Sequence, residues 1–384
     1  MRTPCRPASP PASPEMEGAE PGSLVREQLC GDLQQAITAL AWSADGEFLA
    51  MASAGGELLL LDFRAGAQDL LRGDRDSSLD VVGFSNDGQF LMAAGQTGEL
   101  LLWELGDSGM RPLAMDPVDL GGGWIDAAAW QPGGPFLAVA AGRQLHLWNS
   151  ASRQWTEAPL EHPGTIQSLA WSADGTRLAA GCHGELAIWE PGLGYPVPLP
   201  RRESLLSAGL GLVFSGPGGH LACGLLDRSL LVWPRDCHGP PWQFNGFPAK
   251  VRHLAWSDRP GPLAPLLASA SAEVVILWTQ TNQGSSAWKP EPLLWHEQRV
   301  NALAFSPGST LLASASSDGT VALWDGTGDL LEPLEGQDAA FQALAWRPDG
   351  WHLAAGDARG RWWLWPVEVP ERERDGSCSG SDSD

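Results

Sequence analysis

One short pattern repeats along this chain and restricts its fold more than any other feature. Each copy has a few alternating apolar residues, an aromatic residue and a small polar turn, as in ITALAWSADG (37–46) and FQALAWRPDG (341–350). Successive aromatic residues lie 41 to 49 positions apart, and a period of about 40–45 residues is typical of four-stranded blades arranged in a ring. The eight copies end at Trp42, Phe84, Trp130, Trp171, Phe214, Trp256, Phe305 and Trp346.

A second aromatic residue follows each of these by 18 to 22 positions and closes a run of Leu or β-branched residues. Between the two lie a strand-like segment and a Gly-containing tight turn, which together indicate a β-hairpin. Each repeat therefore predicts strand a, a turn, strand b, a hairpin, strand c and a variable strand d. The predicted fold is all-β, a single β-propeller of four-stranded antiparallel blades. The second aromatics are Phe63, Trp103, Trp148, Trp189, Trp233, Trp278, Trp324 and Trp365.

Eight complete repeats predict eight blades, with seven as the alternative because the fifth and sixth repeats are the weakest. In the sixth, the turn between strands a and b is stretched to DRPGPLAP (258–265). After the last strand c the sequence VPERERDGSCSGSDSD (369–384) is too polar to form an outer strand. We therefore expect SLVREQLC (23–30), at the other end of the chain, to close the ring.

These boundaries predict one folded domain between two tails. The propeller is expected over residues 23–367, with a disordered tail over 1–22 and a disordered acidic tail over 368–384, because both ends are rich in Pro, Ser, Glu and Gly. The N-terminus lacks an apolar export segment, and the six Cys show no paired spacing. A cytoplasmic location is therefore expected.

The repeat resembles the Trp-Asp (WD) repeat β-propeller family over roughly residues 24–367. LLASASSDGTVALWD (311–325) is the fullest match. In that family a blade is stabilised by a hydrogen-bonded set of His, Ser or Thr, Asp and Trp. The resemblance implies that His296, Ser314 or Ser316, Asp318 and Trp324 form this set. Most other repeats lack the His or the Asp, so we expect cohesion between blades to depend chiefly on buried Trp.

Partner-binding residues are expected where strand a begins, because members of this family usually bind partners on the face that bears the d–a and b–c loops. Polar and aromatic side chains at these positions would point to a partner or to the mouth of the channel, and Trp and Arg dominate binding hot spots. A buried structural role is the competing interpretation for each. The candidates are Trp124, Asp126, Lys250, Arg252, Trp295, Arg299, Asn301 and Gln342.

Charge and motifs narrow the function further. The formal net charge of −22 disfavours nucleic acid and anionic membranes as partners. The sequence has no nucleophile elbow, phosphate-binding loop, dinucleotide fingerprint or paired metal ligands, so no catalytic residue, metal or cofactor is predicted. We expect a non-catalytic scaffold for one or more proteins, either a monomeric ring or a subunit of a larger complex. The alternative is a propeller enzyme, or a protein that binds a small molecule or metal in the central channel.

Overall fold

The fold is described from a computed structural model, in which most strands have two to seven residues and no α-helix occurs among the described residues. The described residues are 24–25, 29–106, 112–121, 123–156, 158–190, 199–216, 219–234, 237, 239–258, 265–280 and 288–369. The predictions for residues 1–22 and for 370–384 lie outside this part of the chain. So do residues 259–264 of the stretched turn in the sixth repeat.

The described residues form thirty-two strands, numbered in chain order. The first sixteen are β1 (Leu29–Asp32), β2 (Ile37–Trp42), β3 (Phe48–Ser53), β4 (Leu58–Asp62), β5 (Gln68–Arg72), β6 (Leu79–Phe84), β7 (Phe90–Gly95), β8 (Glu99–Glu104), β9 (Leu113–Ala114), β10 (Val118–Asp119), β11 (Ile125–Trp130), β12 (Phe136–Ala141), β13 (Gln144–Asn149), β14 (Gln154–Trp155), β15 (Leu160–Glu161) and β16 (Ser168–Trp171). The others are β17 (Leu178–Trp189), β18 (Arg201–Phe214), β19 (Leu221–Leu225), β20 (Leu230–Trp233), β21 (Trp242–Phe244), β22 (His253–Trp256), β23 (Leu267–Ser271), β24 (Val274–Gln280), β25 (Trp288–Leu293), β26 (Val300–Phe305), β27 (Leu312–Ser316), β28 (Thr320–Trp324), β29 (Leu330–Glu335), β30 (Phe341–Trp346), β31 (His352–Asp357) and β32 (Arg361–Pro366).

The strands form a β-propeller of antiparallel blades, as the repeat predicted. Hydrogen bonding connects them into seven sheets, which is the number in the alternative prediction. One sheet has six strands because β18 runs without a break from the outer strand of the fourth repeat into the inner strand of the fifth. The seven sheets therefore contain eight a–b–c repeats, called units 1 to 8 below. Their inner strands, β2, β6, β11, β16, β18, β22, β26 and β30, lie side by side in a closed ring.

The two ends of the chain join in the last unit. Strand β1 pairs antiparallel with β32, with Cys30 opposite Trp363, and a further bridge joins Val25 to Val367. Strand β1 thus supplies the outer strand of a four-stranded sheet whose other three strands are β30 to β32. This is the closure predicted for the N-terminal segment, and the paired strand itself spans residues 29–32.

Apolar clusters fill the spaces between neighbouring units. On β32, Trp363 and Trp365 pack toward unit 7, whereas Trp362 and Leu364 pack toward unit 1. Successive side chains of a strand point to opposite faces of the sheet. Because both faces of each blade are covered, the middle strands read as continuous apolar runs such as FLAMAS in β3.

Tryptophans at the ends of the inner strands also join neighbouring units by hydrogen bonds. The indole N–H of Trp346 donates to the Ala304 carbonyl oxygen of unit 7 at 3.1 Å, and Trp42 donates to Ala345 of unit 8 at 3.2 Å. Trp130, Trp171 and Trp256 make the same bond to the preceding unit. Neighbouring units are therefore held together both by burial of Trp and by an indole hydrogen bond. The Phe residues of units 2, 5 and 7 cannot make this bond.

The prediction that Phe63 is the second aromatic residue at the end of strand c was wrong in unit 1. The register pairs Trp42 with Leu49 and Leu49 with Leu61, so Leu61 takes the position that Trp324 holds in unit 7. Phe63 lies two residues further on, beyond the end of β4. There it packs edge-to-face against Trp42 at 5.8 Å between ring centroids. The aromatic count matched by coincidence, because Phe63 and Leu61 are only two residues apart.

Candidate functional site

The start of each inner strand marks one end of the central channel. Ile37 pairs with Ser53 and Phe341 with Asp357, so the start of strand a lies beside the b–c hairpin of its own unit. We call this end, with the d–a loops that lead into it, the top face. Pairing is interrupted by a β-bulge at this point in six units. Such bulges redirect side chains, and the eight equivalent positions are Thr38, Asp80, Asp126, Gln167, Leu210, Arg252, Asn301 and Gln342.

Five of the predicted partner-binding residues line one recess in the top face. It has a volume of about 410 Å³ and lies between the inner strands of units 6, 7 and 8. Three of the five are exposed cations, and no Asp or Glu lines the recess. Within the described residues none of the three cations forms an ion pair with a carboxylate. The five are Lys250, Arg252, Arg299, Asn301 and Gln342.

The positive charge of this recess acts on His253, which also lines it. Burial is the main cause that lowers the pKa of His253 to about 4, and Arg252, Arg299 and Lys250 lower it further. All three cations therefore lie close enough to disfavour another positive charge at one point. At neutral pH His253 is uncharged, and the net charge of the recess comes from the other three side chains.

Carboxylates occupy a different part of the channel mouth. Asp126 and Asp80 hold equivalent positions in units 3 and 2. The pKa of Asp126 is raised, first by burial and then by the charge of Asp80, while Arg252 opposes the change. The mouth thus has a basic side at units 6 and 7 and an acidic side at units 2 and 3.

Trp124 and Trp295 lie in d–a loops of the top face. Their relative exposures are 62% and 45%, far above the 1% and 2% of Trp189 and Trp324 at the ends of c strands. Leu294, beside Trp295, is 75% exposed. Large exposed apolar side chains next to polar ones are typical of binding surfaces. The structure therefore places both tryptophans where a partner could contact them.

Asn301 has a different environment from the other candidates. Its side chain is buried and donates through Nδ2 to the Phe341 carbonyl oxygen at 2.7 Å and to Ser317 Oγ at 2.9 Å. Its Oδ1 accepts a hydrogen bond from Arg299 Nε at 2.9 Å. Asn301 therefore connects units 7 and 8 and holds Arg299 in place. It is less accessible to a partner than the sequence suggested.

The structural set of unit 7 is assembled in one hydrogen-bonded chain. Asp318 Oδ2 lies 3.0 Å from His296 Nδ1, and Ser314 Oγ lies 2.8 Å from His296 Nε2. Ser314 Oγ also accepts the indole N–H of Trp324 at 2.9 Å. A neutral imidazole with its proton on Nδ1 satisfies every bond in this chain. Of the two serines considered, Ser314 belongs to the set, while Ser316 donates to the Gln298 carbonyl oxygen.

The protonation states agree with this arrangement. Burial lowers the pKa of His296, although Asp318 partly opposes the change. For Asp318, burial alone would raise the pKa, but hydrogen bonds from Thr320 and Glu297 and the interaction with His296 together lower it. A charged carboxylate facing a neutral imidazole is therefore the stable form near neutral pH.

Units 1 and 8 have other buried polar residues beside the b–c hairpin, and these were not predicted from the sequence. In unit 1 the buried Glu57 accepts hydrogen bonds from the backbone N–H of Gln34 and from Ser53 Oγ, both at 3.0 Å. In unit 8 the buried Asp357 pairs with Arg361 at 3.1 Å. A charged residue beside the b–c hairpin was the available signal. This signal was not recognised because Glu57 and Asp357 occupy different positions in the hairpin from Asp318.

Unit 4 keeps two members of the set without the serine between them. His162 precedes the inner strand as His296 does, and its ring lies 5.2 Å from that of Trp189. The register places Ala180 where unit 7 has Ser314. Both ring nitrogens of His162 and Nε1 of Trp189 are buried without a hydrogen-bond partner. Buried polar atoms without partners reduce stability.

Replacing Ala180 with Ser should raise the free energy of unfolding by about 1–2 kcal/mol, because the new hydroxyl can bond to both His162 and Trp189. Urea denaturation of the purified variant measures the change. The neighbouring Ala179, which is also fully buried, points to the other face of the sheet. Ala179→Ser should instead destabilise the protein, and two changes of the same sign would contradict this account of unit 4.

Stability should fall in mild acid. Burial lowers the pKa of both His162 and His253 to about 4, while in the unfolded chain a histidine titrates near 6.5. The unfolded state therefore binds more protons between pH 6.5 and 4, so the free energy of unfolding decreases as the pH falls through this window. Thermal unfolding at intervals from pH 7.5 to 4.5 measures the slope. His162→Gln/His253→Gln should reduce the slope without abolishing it, because burial also lowers the pKa of His146, His296 and His352.

Among the described residues no three His, Cys, Asp or Glu side chains are grouped so that they could hold a metal ion. The same part of the chain has no helix of the length and apolarity needed to cross a membrane.

Comparison with known proteins identifies the repeat. The family model for the WD domain, G-beta repeat, matches residues 157–190 and 291–325. These segments are units 4 and 7, which contain His162 and His296 before their inner strands. Units 4 and 7 therefore match the WD repeat, and the chain as a whole resembles the WD-repeat β-propeller family.

Two proteins match about half of this chain at low sequence identity. Periodic tryptophan protein 2 of Arabidopsis thaliana is 27% identical over 224 residues, which is 56% of this chain and 23% of that protein. Protein HIR1 of Kluyveromyces lactis is 26% identical over 248 residues, 53% of this chain and 28% of that protein. This chain thus spans less than a third of either relative's length.

The fold as a whole matches that of a solved structure. Sqt1 of Chaetomium thermophilum, bound to the N-terminus of the ribosomal protein L10, superposes with a TM-score of 0.74 and covers 87% of this chain and 97% of its own. Sequence identity is 16%. The likeness therefore concerns the fold alone.

Proposed function

We propose that this WD-repeat propeller is a non-catalytic scaffold that binds one or more proteins on its top face. The observation that carries the proposal is the concentration of exposed Trp and unpaired cations on that face. Arg252 and Arg299 lie in the recess, and Trp124 and Trp295 extend from the surrounding loops. A rigid ring loses little entropy when its loops bind a partner.

Two further observations support this proposal. A structure of the same fold, Sqt1, binds the N-terminus of a ribosomal protein, so such a ring can hold a short polypeptide segment. The net charge of −22 argues against nucleic acid and anionic membranes. We propose that the protein acts in the cytoplasm, either as a monomeric ring or as one subunit of a complex. Among the described residues the buried Cys182 and Cys223 form no disulfide, which is compatible with a reducing compartment.

The rival function is binding or conversion of a small molecule in the channel. The basic recess gives this rival some support because its volume suits a small anion. However, general acid–base chemistry needs a pair of titrating groups that converge on one point. The recess offers His253 among three cations and no carboxylate, which favours binding over catalysis.

Affinity purification with mass spectrometry tests the scaffold. The triple variant Trp124→Ala/Trp295→Ala/Arg252→Ala should lose the proteins that the wild-type chain retains, while its circular dichroism and thermal midpoint stay close to wild type. Trp351 offers a matched control, because it is 42% exposed and lies in an a–b turn on the opposite face. Trp351→Ala should retain every partner. Equal recovery by the triple variant would refute the top-face proposal, and retention of a small molecule instead of proteins would favour the rival.

A further inference from the structure

Unpaired positive charge is concentrated at one place on an acidic protein. The chain has 46 Asp and Glu but only 24 Lys and Arg, yet Lys250, Arg252 and Arg299 line a single recess that contains no carboxylate. Burial is the largest cause that lowers the pKa of His253, and all three cations lower it further. Their electrostatic fields therefore overlap inside the recess. Asn301 fixes one of them, because its Oδ1 accepts a hydrogen bond from Arg299. Part of the recess is therefore already ordered before any ligand arrives.

An apolar surface adjoins this recess along the chain. The loop before unit 7 runs from the end of the outer strand at Leu293 to the inner strand at Val300. Leu294 and Trp295 are exposed near its outer end, and Arg299 lies at its inner end. Trp295 and Arg299 are four positions apart, a distance of at most about 14 Å. An extended segment lying along this loop could contact both places with side chains three or four positions apart.

We propose that the recess receives the carboxylate of an Asp or Glu side chain from a partner segment, with an apolar residue three or four positions away packed on Leu294 and Trp295. This proposal rests on the scaffold function and names the chemistry of the partner. Arg and Lys form their strongest hydrogen bonds with ionised acceptors, and Arg can bind a carboxylate through two N–H groups. The volume of about 410 Å³ accommodates a side chain rather than a folded domain.

The charge of the whole chain selects the kind of partner. A strongly acidic protein would be repelled by the net charge of −22, although salt screens this repulsion beyond about 8 Å. Asp80 and Asp126 at the same channel mouth further penalise a doubly charged group such as phosphate. The segment therefore carries a single carboxylate in a partner that is neutral or basic overall.

Peptide selection tests this chemistry directly. A library of random nonapeptides, fused through their C-termini to a phage coat protein, is panned on the purified full chain. We expect the enriched peptides to contain Asp or Glu with an apolar residue three or four positions away. Because the fusion removes the free C-terminus, only side-chain carboxylates can produce this result. Enriched peptides without an acidic residue, or no enrichment at all, would overturn the proposal.

Synthetic versions of an enriched peptide then locate the contact by fluorescence anisotropy. Replacing its acidic residue with the amide should weaken binding at least tenfold, and so should Arg252→Ala/Arg299→Ala in the chain. The control Arg64→Ala/Arg153→Ala removes the same charge from exposed ion pairs in c–d turns of the opposite face and should bind within twofold of wild type. Equal binding by the recess variant would overturn the anion site. Tighter binding of a phosphoserine peptide would overturn the carboxylate assignment.

Failure of this proposal is distinguishable from failure of the scaffold function. If Arg252→Ala/Arg299→Ala retains every protein captured by the wild-type chain, but the Trp124 and Trp295 changes remove them, the scaffold stands and the recess is not its anion site. If neither set of changes alters the captured proteins, the top-face function itself fails.

Discussion

Asp318→Ala should lower the free energy of unfolding by about 3 kcal/mol. The Asp318 carboxylate accepts hydrogen bonds from His296, from the backbone N–H of Glu297 and from both the N–H and the hydroxyl of Thr320. Its removal leaves several donors without partners, and His296 is buried. Loss of one member from a buried charged network costs far more than the network gains over apolar residues of equal size.

A matched substitution distinguishes this network from an ordinary turn. Asp87 lies in the a–b turn of unit 2, where its carboxylate contacts only Ser85 and the backbone N–H of Gln89 among the described residues. Urea denaturation of Asp87→Ala should show a loss of about 1 kcal/mol or less. The loss of stability in Ser314→Ala should lie between those of Asp318→Ala and Asp87→Ala. This variant recreates in unit 7 the arrangement of His162 and Trp189 in unit 4. If Asp318→Ala and Asp87→Ala are equally stable, the hydrogen-bonded set does not stabilise its blade.

The ring was predictable because its signal is repeated. Each inner strand ends in Trp or Phe at nearly constant spacing, and the family resemblance groups His296, Asp318 and Trp324 in one predicted set. The closing strand was predictable for a similar reason, since the last unit lacks an outer strand and the segment before unit 1 is otherwise unassigned. The continuity of strand β18 could not be predicted from the sequence. No residue in the sequence marks that the d strand of unit 4 and the a strand of unit 5 are continuous.

The recess was predictable only in part. Lys250, Arg252 and Arg299 were selected because each stands just before or at the start of an inner strand. Their convergence depends on the packing of unit 6 against unit 7, which brings together positions up to 49 residues apart in sequence. Exposure could not be predicted either. Asn301 occupies the same position as Arg252, but its short amide reaches the carbonyl oxygen of Phe341 on unit 8, and this contact buries it.

Gly211→Ala should destabilise the protein and weaken binding at the recess together. A Cβ at this position would lie 2.1 Å from the carbonyl oxygen of Arg252 and 3.0 Å from its carbonyl carbon. The equivalent position in each of the other seven units has a side chain, so units 5 and 6 approach unusually closely here. The contact is with backbone, which cannot rotate away. Overpacking of this kind costs about 1–3 kcal/mol.

The substitution therefore links packing to the proposed function, because the displaced residue is Arg252 itself. Denaturant unfolding should show the loss of stability, and a carboxylate peptide selected on the wild-type chain should bind at least several-fold more weakly under conditions where the variant is folded. Gly73→Ala is the control, since a Cβ there meets no atom within 4 Å; both measurements should stay near wild type. Normal peptide binding by folded Gly211→Ala would mean that the close approach of units 5 and 6 does not position Arg252.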